Sequence, residues 1–132
     1  MAKPFEYGII VSGSRVYNNY EEFKSIMDKY LCPLRLNCEV IIVEGGAKGA
    51  DALAVRYAKE ENYSYVEFKA DWETWGKRAG MMRNAEMLTY TIKYCEKCGL
   101  IAFPSKDSIG TRGMIAMAKK ENIQTRVFEI GG

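Results

Sequence analysis

Val40-Ile41-Ile42-Val43-Glu44-Gly45-Gly46-Ala47-Lys48-Gly49-Ala50-Asp51 decides the fold. Four consecutive β-branched residues read as a short strand buried on both faces. A glycine-rich turn follows. Leu53, Ala54, Tyr57 and Ala58 then recur at the spacing of an amphipathic helix, running from about Ala50 to Glu61. Strand, glycine turn and helix in that order form the repeating unit of a parallel α/β sheet.

The same order recurs on either side. Upstream, the apolar run Tyr7–Gly13, with Gly8-Ile9-Ile10-Val11 as its strand, ends in Gly13-Ser14-Arg15. Asn19 then offers an N-cap with Glu22 three residues later, and Phe23, Ile26, Met27, Tyr30 and Leu31 mark one helical face. Cys32-Pro33 is expected to end that helix, because proline disfavours helical geometry in the residue before it. Downstream lie a weaker strand at Tyr65–Phe68, a long helical pattern from about Lys77 to Ile92, and a strand at Leu100–Phe103. A helix from about Thr111 to Glu121 and a strand at Val127–Ile130 complete the pattern. The fold expected is α/β: a Rossmann-like three-layer sandwich with a mainly parallel five-stranded sheet, as one domain over residues 1–132.

Turns of this kind gather beyond the carboxyl ends of parallel strands, where ligands bind. Glycine lets backbone N–H groups approach an anion, and a helix N-terminus adds favourable partial charge. The net charge of +2 argues against a long polyanionic partner, but Arg15, Lys48, Lys77, Arg78, Arg83 and Arg112 sit in or beside the turns and helix starts. A compact anionic ligand fits that placement.

Two faces of the long helical pattern differ. Met81, Ala85, Leu88 and Ile92 give a core stripe, whereas Gly76, Gly80, Arg83 and Met87 follow another line. Glycine in a helix is unfavourable by about 1 kcal/mol relative to alanine. Either a ligand approaches that face or helix and sheet pack closely there. Trp72 and Trp75 likewise offer aromatic faces for a base to stack on, or a cover over the sheet edge.

The chain has no histidine, so His-based triads and His-containing zinc sites are excluded. Cys95-Glu-Lys-Cys98 has CxxC spacing but Cys32 and Cys38 do not, so reduced structural thiols are expected rather than a metal centre. No cofactor is implied. No apolar run approaches the roughly 20 residues that a bilayer crossing needs. Residues Met1 to Glu6 lack the apolar stretch of a signal peptide, which together suggests a cytoplasmic protein without membrane contact.

Several motifs occur in a telling order: Gly13-Ser14-Arg15; Gly45-Gly46-Ala47-x-Gly49-Ala50-Asp51; Ala70-Asp71-Trp72; Gly76-Lys77-x-Ala79-Gly80-x-x-Arg83-Asn84-x-x-Met87; and Phe103-Pro104 with Gly110-Thr111. The chain thereby resembles the SLOG superfamily, which joins the Smf/DprA DNA-processing proteins and the LOG cytokinin-activating enzymes. Within it the small stand-alone branch related to YspA and YpsA is the most similar. The resemblance implies a nucleotide or nucleotide-derived, ADP-ribose-like ligand. It places Gly13, Ser14, Arg15, Gly45, Gly46, Gly49, Asp71, Trp72, Lys77, Arg83, Asn84 and Pro104 at or near the site, with Gly110 and Thr111 as a second anion cradle. Asp51 suits either a ribose hydroxyl or a helix N-cap. The resemblance also implies a homodimer formed beside the site, and Met81, Met82, Met87 and Met117 include apolar residues that could serve it.

One departure bears on chemistry. LOG enzymes carry Pro-Gly-Gly-x-Gly-Thr-x-x-Glu, and here Met114 stands at the glutamate position. A thioether neither activates water nor stabilises an oxocarbenium-like centre, so LOG-type hydrolysis through that residue is excluded. A sensor, carrier or sequestering module leads the functional readings. The alternative is an enzyme cleaving or exchanging an N-glycosidic bond, as nucleoside monophosphate phosphoribohydrolases do, through Glu44, Asp51, Asp71 or Glu86. Single-stranded nucleic-acid binding ranks below both, since fold analogy alone supports it.

Overall fold

The computed structural model describes residues 3–131. Met1 and Ala2, which entered the reading of the leader, lie outside the described residues, as does Gly132. The elements run β1 (Phe5–Gly13), α1 (Tyr20–Arg35), β2 (Val40–Glu44), α2 (Ala50–Glu61), β3 (Ser64–Glu67), α3 (Trp72–Trp75), a 3-10 turn (Gly76–Arg78), α4 (Ala79–Tyr94), β4 (Cys95–Phe103), α5 (Ile109–Lys120) and β5 (Gln124–Val127).

The five strands make one all-parallel sheet in the order β3-β2-β1-β4-β5. The chain winds outward from β1 to β3, crosses back to lay β4 beside β1, and winds outward again. This is a Rossmann-like α/β arrangement. Its switch point lies between β1 and β4, whose pairing runs from Phe5↔Cys95 to Gly13↔Phe103.

Alternation along β1 assigns the two faces of the sheet. Ile9 and Val11 join Phe23, Met27 and Leu31 of α1 and Ala54 and Tyr57 of α2 on one side. Ile10 joins Met87 and Leu88 of α4 and Met114 and Ala118 of α5 on the other. The first side is knitted by aromatic contacts, with the Phe23 and Phe103 rings 5.1 Å apart. No helix among the described residues is long and apolar enough to cross a membrane.

Four expectations shift. Helix α1 runs through Pro33 to Arg35, since the one bond Pro33 cannot make, to Lys29 O, belongs to the last turn, at an exposed residue. The Asn19 cap is present, its side chain accepting from Glu22 N at 3.1 Å. Strand β4 begins at Cys95 rather than Leu100, because its first half pairs with β1 alone and β5 joins only from Gly99. Glu96 and Lys97 are exposed there, which hides the strand from an apolar-run reading. Strand β5 is Gln124–Val127, although Phe128 and Ile130 still donate to Ala102 O and Pro104 O.

The fourth shift is the rotation of α4. Met81 is 57 % exposed and Ile92 is also exposed, while the buried line is Ala79, Asn84, Met87, Leu88 and Thr91. Polar Asn84 and Thr91 are tolerated because each has an internal partner: Asn84 Nδ2 donates to Gly110 O at 3.1 Å and Thr91 Oγ1 to Met87 O at 2.7 Å.

Candidate functional site

At the switch point a cleft of about 770 Å³ opens beyond the carboxyl ends of β1 and β4. The loop after β1 supplies Gly13, Ser14 and Arg15, and the turn after β2 supplies Ala47 and Asp51. The start of α4 supplies Lys77, Arg83 and Asn84, and the start of α5 supplies Gly110 and Thr111. The loops around Ser14, Ala47 and Thr111 therefore share one hollow. An adjoining cleft of about 540 Å³ contains Gly45, Gly46 and Lys48 and shares Arg15, Ala47, Trp72 and Arg83 with the first.

Close packing explains the turns. Ala50 N donates to Ser14 O at 3.1 Å, and Gly49 has φ +75°. A Cβ on Gly49 would lie 2.1 Å from Ser14 O, so the residue joins two loops and does not line either cleft. A Cβ on Gly45 would lie 2.6 Å from Arg83 Nη1. That space lets Arg83 Nη1 donate to Gly45 O at 2.7 Å, while Arg83 Nε donates to Asn84 Oδ1 at 3.0 Å. With the Asn84 bond to Gly110 O, two neighbouring residues of α4 tie the turn after β2 to the first turn of α5.

Two N–H groups of the glycine turn are engaged within the protein. Gly46 N donates to Glu44 Oε1 at 2.7 Å and Ala47 N to Asp51 Oδ2 at 3.2 Å. Two carboxylates of the protein already occupy those donors. Helix α5 differs. Its first intrahelical bond is Arg112 N to Ser108 O, and Ser108 Oγ is engaged with Ser105, so the N–H groups of Gly110 and Thr111 precede the helical ladder. Arg15, Lys77 and Arg83 supply the remaining positive charge of the larger cleft, against Asp51 and Asp107.

Among the other expected residues, Trp72 is 51 % exposed and lines both clefts. Asp71 lines neither; its side chain caps α3 by accepting from Thr74 N at 3.1 Å. Pro104 is buried, with its carbonyl accepting from Ile130 N. Gly76, with φ +55°, closes α3, and a Cβ on Gly80 would lie 3.7 Å from the Trp72 ring. Ser12, Ser105, Asp107, Ser108 and Lys69 escaped the sequence reading. Their signal was positional: each lies at or just beyond the carboxyl end of a strand.

Burial sets the charge states below the clefts. Glu44 is wholly buried, its Oε2 has no hydrogen-bond partner, and its pKa is pushed up to about 8, first by burial and further by the nearby Asp51 and Glu67 carboxylates. Burial also raises Asp51 to about 6, against the opposing pull of the Ala47 N–H and the Arg83 charge. The four cysteines are free. Burial raises the thiols of Cys95, to about 11, and of Cys98, so neither has thiolate character. No cluster of three or more His, Cys, Asp or Glu suited to a metal occurs among the described residues.

A family model described as "YspA, cpYpsA-related SLOG family" matches residues 8–75, from within β1 to the end of α3. The chain belongs to this family. It is also 34 % identical over 121 residues to the Gene 61 protein of Mycobacterium phage D29, covering 87 % of this chain and 90 % of that protein. No solved structure shows a significant match.

In this SLOG protein Met114 is fully buried in the core beneath α5 and does not line the cleft. Of the four carboxylates considered for chemistry, only Asp51 lines it. Glu44 lies beneath the turn, Asp71 is a cap, and Glu86 is on the exposed side of α4. Met87, grouped above with residues for a dimer contact, is in the core, whereas Met81 and Met117 line the cleft.

Proposed function

We propose that the switch-point cleft binds a nucleotide or nucleotide-derived, ADP-ribose-like ligand, with the protein acting as a sensor, carrier or sequestering module. The carrying observation is convergence: the loop after β1, the turn after β2 and the start of α5 line one cleft together with Trp72 and two arginines. In this reading the ligand phosphate meets the open N–H groups at the start of α5 and the Arg15, Lys77 and Arg83 side chains. Asp51, which lines the cleft, accepts from ribose hydroxyls, and Trp72 stacks on the base. Family membership supports a nucleotide-related ligand.

Isothermal titration with ADP-ribose, AMP and cyclic nucleotides tests the reading. At least one should bind, and Arg83→Ala should weaken it by roughly tenfold to a hundredfold, the worth of a charged hydrogen bond. Folded protein giving neither heat nor a thermal shift across the panel would overturn it.

A second reading has its own observation: a buried acid, Asp51, lines the cleft with its pKa raised to about 6. Such a carboxylate could serve as nucleophile or base in cleaving an N-glycosidic bond. Release of free base from nucleoside monophosphates should then occur and disappear in Asp51→Asn; equal background rates in both proteins would remove this reading. We further infer a cytoplasmic location, and a homodimer supported by the exposure of Met81, Trp72 and Ile109 at the cleft rim. Light scattering at micromolar concentration would read its mass.

A further inference from the structure

The smaller cleft differs from the larger in charge. Arg15, Lys48, Lys69 and Arg83 line it, and no carboxylate does. Four like charges around one hollow repel each other, and they persist at low cost only where water or an anion screens them. Lys69 is tied only loosely, its Nζ standing 3.7 Å from Glu67 Oε2 with the side chain largely exposed. Lys48 is exposed as well. Arg83 is the fixed member, anchored through Gly45 O and Asn84.

The floor is consistent with an anion above it. The Gly46 and Ala47 N–H groups are engaged by Glu44 and Asp51, so the side-chain cations are the main donors facing a ligand. Glu44 lies directly under Gly46, and its raised pKa of about 8 keeps that carboxyl neutral at pH 7. The Asp51 carboxylate under Ala47 and the Glu67 carboxylate beside Lys69 offset only part of the positive charge of the four lining cations. Trp72 lies on the boundary between the two hollows, where a ring stacked on it would project substituents into both.

We propose that this basic cleft is a second phosphate subsite, so that the ligand carries phosphate groups at two separated positions, one in each cleft. The proposal rests on the nucleotide reading above and narrows its ligand class: a nucleotide with a single phosphate position fills only half of the site.

AMP, adenosine 3′,5′-bisphosphate and ADP-ribose are suitable probes, titrated into the full chain and into the Lys48→Ala/Lys69→Ala double variant. Both lysines are exposed, so folding should be unaffected, and circular dichroism checks this. Adenosine 3′,5′-bisphosphate should bind the unaltered protein about tenfold more tightly than AMP, as expected for one additional charged contact, whereas ADP-ribose, whose two phosphates form one contiguous diphosphate, is the control for added charge at a single position. The double variant should retain AMP affinity and lose that advantage, together with the steeper salt dependence accompanying it. If AMP binds as tightly as adenosine 3′,5′-bisphosphate, or the double variant weakens AMP equally, the second subsite is refuted while the nucleotide reading stands. If no probe binds, both fall.

Discussion

At Gly49 the backbone takes φ +75° and passes so close to Ser14 that a Cβ would lie 2.1 Å from the Ser14 carbonyl oxygen. Alanine there incurs backbone strain and a collision with main chain at once, for an expected loss of about 3 kcal/mol or more. Gly113 is the contrast: it lies inside α5, and a Cβ there would meet nothing within 4 Å. Gly113→Ala should stabilise by about 0.5–1 kcal/mol through helix propensity. Urea denaturation of the two variants checks the pair, and similar midpoints would contradict it. Both glycines are equally visible in the sequence. Their opposite demands come from neighbours distant along the chain.

Helix α4 is the element through which the site is assembled. Asn84 receives Arg83 Nε and donates to Gly110 O, so one buried amide holds a guanidinium on one side and the start of α5 on the other. Asn84→Ala should cost about 1–3 kcal/mol, because buried polar groups lose partners. Arg83 would lose its orientation as well, so the affinity for any nucleotide that binds should fall even though residue 84 keeps its place on the helix. A thermal melt and a titration on the same sample read both effects; unchanged values in both would contradict the role. Hydrophobic periodicity misplaces the inward face of this helix because it cannot recognise a buried asparagine or threonine whose partner comes from elsewhere in the fold. Strand β2, by contrast, is legible because it is buried on both faces and every residue from Val40 to Val43 is β-branched.

The whole molecule carries two buried acids whose pKa values are raised on folding, Glu44 from 4.5 to about 8 and Asp51 from 3.8 to about 6. The folded state keeps these protons at pH values where the unfolded chain has released them. Stability contributed by this pair is therefore greatest at low pH and falls as pH rises from about 4 to about 8. Glu60, Asp71, Asp28 and Glu129 have lowered values and act oppositely, losing their contribution as pH falls through the acid range. Glu44→Gln keeps an acceptor for Gly46 N and removes the titration, so its melting temperature should decline less between pH 6 and 9 than that of the unaltered protein. Parallel curves would show that Glu44 does not hold its proton.

The sequence by itself determined the alternation of strands and helices, the parallel sheet and the places where the chain turns. Those depend on local periodicity and on glycine, proline and capping residues, all of which act within a few positions. It also placed Ser14, Arg83 and Thr111 near one edge of the sheet. Only the tertiary structure decided what each turn does there. Whether an N–H group faces a ligand or an internal carboxylate depends on atoms from Glu44 and Asp51 folding back onto the turn. Whether positive charges scattered along the chain gather in one hollow depends on the crossover that brings β4 beside β1. Periodicity carries information over one or two helical turns, whereas a site is made by contacts between residues tens of positions apart.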